Sequence, residues 1–286
     1  MKGIIWLASY PKSGNTWFRV FLTNLLRGGD TPADINELEH TPIAGAREIF
    51  DNAMGFEASD LTADEIDRLR PEFYAYLAEN AEEQLYMKIH DAYTCLEDTR
   101  PLIPQEATRC ALYFIRNPLD VAVSVAHHSG SDCTKSAIKM ADDTVAFCSQ
   151  PGRLHDQLRQ KLLSWSNHVL SWVDRAPFPV CMIRYEDMKS HPLETFTKAV
   201  RFAGLDHTGE KIQKAIDFSS FDVVQQQEEA EGFREKSSAS GRFFRKGQVG
   251  SWREELNESQ ASKIAHDHRE VMRRFGYLDE EGKIIY

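Results

Sequence analysis

The sequence has no apolar run approaching the ~18 residues that a membrane-spanning helix requires. The longest stretches, such as Cys110 to Ile115, end within a few positions, so no transmembrane segment is expected. A basic excess is also missing, since 34 Lys+Arg face 44 Asp+Glu, giving a formal charge of −10 and a pI of about 5.5. Affinity for nucleic acid comes largely from neutralised phosphates, so nucleic acid is excluded as the main partner and any anion site must be local. Cysteine is sparse: Cys95, Cys110, Cys133, Cys148 and Cys181 form no CxxC pair and adjoin no histidine cluster at metal spacing. Their odd number suits free thiols in a reducing compartment. At the N-terminus only Ile4 to Ala8 precede the polar Ser9, which is too short for the core of a signal peptide. Together these absences predict a cytoplasmic chain without a structural metal.

What is present is ordinary for a globular protein: 42% hydrophobic and 27% charged residues over 286 positions. Four short runs rich in β-branched and aromatic residues read as buried strands: Ile4 to Ala8, Leu85 to Ile89, Ala111 to Ile115 and Val180 to Ile183. Between them lie helical patterns. Trp17, Phe18, Phe21, Leu22, Leu25 and Leu26 define a helix from Thr16 that stops at Gly28 and Gly29, and Asn117-Pro118 and His191-Pro192 each open a helix with proline. This alternation predicts an α/β fold, a single domain over residues 1–286 with a mostly parallel central sheet flanked by helices. The acidic stretch Asp30 to Gln84 is expected to be an insertion of helices and loops on the acceptor side. The polar stretch Gln225 to Gly241, low in aliphatic residues, is expected to be a mobile surface loop.

The first strand runs into Ser9-Tyr10-Pro11-Lys12-Ser13-Gly14-Asn15-Thr16 and then into a helix. A tight loop before a helix N-terminus gathers free N–H groups and the positive end of the helix dipole, and Lys12, Ser13 and Thr16 add a cation and hydroxyls. The loop is P-loop-like, but Ser9 replaces the first glycine of GxxxxGK[ST] and Asn15 stands at its lysine position. On the strand Leu85 to His90, alternation puts Tyr86, Lys88 and His90 on one face. A neutral imidazole at this end can accept a proton from an alcohol or phenol.

Tyr10-Pro11-Lys12-Ser13-Gly14-Asn15-Thr16-Trp17 resembles the 5′-phosphosulfate loop (PKSGTTW) of sulfotransferases that use 3′-phosphoadenosine 5′-phosphosulfate (PAPS). Arg116-Asn117-Pro118-Leu119-Asp120-Val121-Ala122-Val123-Ser124 is similar to the family's 3′-phosphate segment, and Arg245-Lys246-Gly247-Gln248-Val249-Gly250-Ser251-Trp252 to its RKGxxGDW loop. Three motifs in order mark a resemblance to a cytosolic-type member of this family, with the look of a bacterial one. The resemblance implies sulfuryl transfer from PAPS to a hydroxyl or amine of a small-molecule acceptor, releasing 3′-phosphoadenosine 5′-phosphate (PAP). His90 would be the base, with Lys12 and Lys88 steadying charge. Lys12, Ser13, Gly14, Asn15, Thr16 and Trp17 would meet the 5′ side of the nucleotide, while Arg116, Ser124, Arg245, Lys246 and Gly247 would meet the 3′-phosphate. Trp17, Ser219 and Phe221 would lie by the adenine, and Tyr185 in Arg184-Tyr185-Glu186-Asp187 would order the site. No metal is required by this scheme. Three departures stand out: Ser251 replaces the usual aspartate, Asn15 replaces a threonine of the phosphate loop, and the KxxxTVxxxE dimer element of animal members is not found after Trp252, which leaves the oligomeric state open. A nucleotide kinase and a silent nucleotide-binding protein are the alternatives; Asn15 argues against the first, and the pairing of Lys88 with His90 against the second.

Overall fold

The computed structural model describes residues 3–150 and 153–286. Pro151 and Gly152 lie outside the described residues. In chain order the first elements are β1 (Ile4–Ser9), α1 (Asn15–Arg27), α2 (Arg47–Met54), α3 (Ala63–Asn80), β2 (Leu85–Ile89) and β3 (Thr108–Ile115). Then follow α4 (Pro118–Ser129), α5 (Cys133–Met140), β4 (Ala146–Phe147), β5 (Gln160–Lys161), α6 (Trp165–Leu170) and β6 (Val180–Arg184). The chain ends with α7 (Tyr185–Ser190), α8 (Pro192–Phe202), α9 (Gly209–Phe218), α10 (Phe221–Glu231), α11 (Glu258–Asp267) and α12 (Arg269–Arg274). All four expected strands form, with β3 beginning three residues early. The class is α/β with a parallel central sheet and flanking helices, as the alternation predicted. None of the helices described is long and apolar enough to cross a membrane.

Two compact units are distinguished. The first comprises Met1–Tyr10, His40–Tyr113 and Asp143–Met182. Its sheet has the order β2-β1-β3-β6, with β1 and β2 parallel in the register Ile4↔Leu85 to Ala8↔Ile89. Every residue of β1 is buried, which explains its unbroken apolar run. On one side Trp6 meets the ring of Tyr74 from α3 edge-on at 5.0 Å, while its indole N–H donates to Thr108 Oγ1 at 2.9 Å. The insertion carries α2 and α3, as expected. It also adds an unforeseen bridge, in which Lys88 N donates to Pro42 O and Ala44 N to Lys88 O, both at 2.8 Å, extending the β2 edge.

The second unit comprises Pro11–Glu39, Phe114–Asp142 and Ile183–Tyr286. Phe18 and Phe21 of α1 pack on Phe196 of α8, and Phe18 also on Phe114. A second apolar cluster joins Val20, Ile35, Leu38, Val224, Phe233 and Phe244. The first part of the mobile loop expected over Gln225 to Gly241 is corrected here. Residues 225 to 231 continue α10, whose Gln- and Glu-rich sequence forms helix readily, and Phe233 beyond it is buried. Few aliphatics sufficed because Val224 and Phe233 reach the core while Glu228, 7% exposed, is buried with partners of its own.

Candidate functional site

The three motifs that suggested phosphate binding meet in the second unit around Arg116. Its guanidinium donates to Lys12 O at 3.2 Å and to Gln248 O at 3.1 Å, and its plane lies 4.3 Å from the centre of the Tyr185 ring. One side chain thus touches the phosphate loop, the RKGxxGSW loop and the RYED tyrosine. Asp120, four residues on and 1% exposed, accepts from Gly250 N (2.8 Å), Ser251 Oγ (3.2 Å) and Trp252 N (3.0 Å). Ser251 therefore donates to a carboxylate where an aspartate would have set a second negative charge beside it.

The phosphate loop leads into α1 with Gly14 as N-cap at φ 98° and no side chain capping the helix. The first turn of a helix has N–H groups without intrahelical acceptors, and with no capping side chain this end is open to an anion. Ser13 Oγ is buried and has no hydrogen-bond partner among the described residues, the kind of orphaned polar atom that a bound ligand satisfies. Gly14 is obligatory twice over, because a Cβ there would also sit 2.7 Å from Tyr185 Cδ2. Lys12 adopts φ 69°, with its ammonium 3.7 Å from the centre of the Phe243 ring. Asn15 and Thr16 begin α1 as buried residues.

In the third motif, Arg245 pairs with Glu255 at 2.8 Å, and Lys246 with Glu254 at 2.7 Å and Glu255 at 3.1 Å. Burial raises the Glu255 pKa, but hydrogen bonds from His127, Arg245 and Lys246 outweigh it and bring the carboxyl to about 2. The backbone entering this motif is held by α10: Glu228 accepts from Phe243 N (2.6 Å) and Phe244 N (2.8 Å), and Gln225 donates to Phe244 O (2.9 Å). Gly247 lies so close to Phe221 that an added Cβ would be 2.2 Å from its Cδ2.

Trp17 stands edge-on to Tyr185 at 6.0 Å, and burial raises the Tyr185 pKa. The Lys189 ammonium lies 5.3 Å from Trp17 and 5.9 Å from Phe221, so the two aromatics expected at the adenine share one cation. Ser219 is fully buried, and its hydroxyl donates to Ile216 O at 3.1 Å. Ser124 is half-buried on α4.

The proposed acid–base residues belong to the first unit. His90 Nδ1 is 2.8 Å from Ser9 O. A carbonyl can only accept, so Nδ1 carries the proton and Nε2 of the neutral ring keeps its lone pair. Lys88 is 8% exposed. The adjacent Asp91 is not available as an alternative base, because its carboxylate receives Arg70 Nη1 (3.0 Å), Arg70 Nη2 (2.7 Å) and Lys161 N (3.1 Å). Glu97 is exposed and paired with Arg68 at 3.0 Å. Arg70, Asp120, Glu228 and Lys189 were not singled out from the sequence. Only the last Asp of RNPLD lay within a quoted motif, and no local pattern marks the other three.

The family described as "Sulfotransferase domain" matches residues 2–276, and the chain belongs to it. It is thus a sulfotransferase, the class that the three motifs implied. Dog sulfotransferase 1B1 is 25% identical over 269 residues, covering 90% of this chain and 79% of that one. Among solved structures, mouse sulfotransferase SULT7A1 complexed with PAP aligns with a TM-score of 0.61 at 19% identity, over 96% of this chain and 84% of that one. Retinol dehydratase with androsterone and PAP gives 0.60 at 18%, over 95% and 81%. At these identities the structural likeness is one of fold.

Proposed function

We propose that this chain transfers a sulfuryl group from PAPS to a hydroxyl or amine of a small-molecule acceptor in the cytoplasm, releasing PAP, with residues 1–286 acting as one sulfotransferase domain. The observation that carries the reading is the Arg116 guanidinium, to which Lys12, Gln248 and Tyr185 from three separate motifs converge. The two PAP complexes among the similar structures support the choice of donor. The uncapped N-terminus of α1 with the orphaned Ser13 hydroxyl fits a 5′-phosphosulfate, and Arg116, Ser124, Arg245, Lys246 and Gly247 fit the 3′-phosphate. Trp17, Ser219 and Phe221 flank the adenine, with Tyr185 ordering the pocket.

In the transfer, Nε2 of His90 takes the proton of the acceptor as its oxygen or nitrogen attacks sulfur. The new bond to sulfur forms while the bond from sulfur to the bridging oxygen of the 5′-phosphate breaks, and the electron pair leaves with PAP. Lys12 and Lys88 offset the charge that grows on the bridging and transferring oxygens. The scheme calls for no metal and no nucleic-acid or membrane partner. The test is a panel of phenols, alcohols and amines with radiolabelled PAPS, beside thermal protection by PAP and by AMP. Label transfer and preferential protection by PAP are expected; equal protection by AMP would remove the 3′-phosphate site. Protection by ATP with Mg²⁺ exceeding that by PAP would favour the kinase reading instead.

A further inference from the structure

Beyond Ile89 the backbone leaves the sheet, and its polar groups must find partners elsewhere. Three of them are met from α6 and the π-helical turn Ser171–Arg175 that continues it. His168 Nε2 lies 3.0 Å from His90 O, Trp172 Nε1 donates to Asp91 O at 2.9 Å, and Tyr93 N donates to Ser171 Oγ at 3.0 Å. His168 is wholly buried, and its other nitrogen, Nδ1, is 2.8 Å from the hydroxyl of Tyr113, also wholly buried. The Tyr10 ring closes the pocket edge-on at 5.4 Å from the imidazole.

The proton positions follow from what each group can do. His90 O accepts only, so His168 Nε2 must carry hydrogen. In a dry pocket the imidazole stays neutral, which leaves Nδ1 as an acceptor and makes the Tyr113 hydroxyl the donor. Both nitrogens are then occupied, and no part of His168 reaches solvent. We infer that His168 is a positioning residue for the base: the chain Tyr113 O–H to His168 Nδ1, and His168 Nε2–H to His90 O, fixes the His90 backbone while Ser9 O fixes its ring. His90 is thereby held at its backbone and at its ring, which fixes the place of Nε2, the nitrogen that would take the acceptor proton. Arg70 secures the next residue through Asp91. Small displacements of a reacting group are costly, with ~1 Å able to lower a rate about 10²-fold. This inference rests on His90 being the base.

The experiment is a double-mutant cycle on kcat with a generic phenol and PAPS. His168→Leu is expected to lower kcat roughly 10- to 100-fold with both KM values little changed, and to cost nothing further in a His90→Ala background. His168→Gln, whose amide N–H can reach the place of Nε2–H, is expected to recover most of the loss. Full additivity with His90→Ala, an effect confined to the acceptor KM, or no loss at all would overturn the assignment. A His90→Ala enzyme with undiminished kcat would instead refute the base, a separate outcome read from the single variant. Should His168→Leu fail to fold, Tyr113→Phe and ¹⁵N spectra of the unaltered protein decide: His168 must appear as the neutral Nε2–H tautomer from pH 8 to 5. An Nδ1–H tautomer or a titration near pH 6.5 would sink the proposal.

Discussion

The Arg116 guanidinium donates to the main-chain oxygen of Lys12 at 3.2 Å, so the residue that ends β3's run into α4 also fixes the turn of the phosphate loop. Because Lys12 is held at positive φ, its conformation depends on such a partner. Lysine at 116 would keep the charge but lose the fork that spans Lys12 O and Gln248 O. Arg116→Lys is expected to weaken PAP binding by about tenfold or more, roughly the worth of one charged hydrogen bond. AMP, which meets the 5′ loop that Arg116 also holds but has no 3′-phosphate, should weaken too, by less than PAP. Calorimetric titration of both nucleotides checks this, and an equal loss for AMP would mean that Arg116 acts on the fold rather than on the 3′ side.

His90→Ala is expected to reduce kcat by ~10²–10⁴-fold, the usual contribution of a general base. PAP affinity should be nearly unchanged, since the ring is held by Ser9 through Nδ1 and the base meets only the acceptor. Single-turnover kinetics paired with PAP titration separate the two effects. If instead an Asp91 substitution abolished turnover while His90→Ala did not, the base would be misassigned despite the bonds that engage Asp91.

The strands, the motif loops and the proline-led helices were legible because each depends on local chemistry: a buried strand must be continuously apolar, and Pro118 or Gly28 marks a helix end wherever it occurs. The residues that hold the motifs in place were not. Glu228 lies in a polar stretch that reads as a loop, yet its carboxylate accepts from Phe243 N and Phe244 N; only the three-dimensional pairing reveals it. Asp120 sits within a motif, but its three donors come from residues 250 to 252, more than a hundred positions away. Arg70 is hidden for the same reason, being a fully buried cation whose partners Asp67 and Asp91 span the insertion and the end of β2.

Asp120 therefore provides a test in which one carboxylate supports a whole loop. Asp120→Ala leaves two backbone N–H groups and the Ser251 hydroxyl without their acceptor, each costing about 1–3 kcal/mol where water cannot replace it. A large loss of PAP affinity and a lower melting temperature are expected. Ser251→Ala removes only one of the three donors and should cost about 1 kcal/mol or less. Denaturation and PAP titration of both variants check the order; equal effects would show that the side chain at 251, not the backbone, is what Asp120 holds.

Acid should destabilise the protein before its carboxylates titrate. Burial lowers the pKa of His168 to about 4 and that of His268 to about 4. Between the unfolded value of about 6.5 and this folded value, the unfolded chain binds more protons, so stability is full above the window and falls as pH drops through it. Glu186, whose pKa burial raises, works the other way just above the ordinary carboxylate range, because there the folded state holds the extra proton. The melting temperature is expected to fall from pH 7 to 5, with a shallower slope in His268→Gln. A flat profile in the unaltered protein would contradict the burial of both imidazoles.

Gly247 offers the sharpest steric prediction. Its φ of 58° lies in the left-handed region, where a side chain costs about 1 kcal/mol, and its place against the Phe221 ring leaves no room for a methyl group. Gly247→Ala must therefore move the ring, the turn or both, displacing Arg245 and Lys246 from the positions that Glu254 and Glu255 define. PAP binding should weaken by more than tenfold, beyond the loss in stability. Phe221→Leu gives up the proposed contact to the adenine but relieves the overlap, so Gly247→Ala should cost less binding in the Phe221→Leu background than alone. If Gly247→Ala costs the same in both backgrounds, the contact between Gly247 and Phe221 is not what shapes the loop. Equilibrium titration of PAP across the four combinations at positions 221 and 247 decides this.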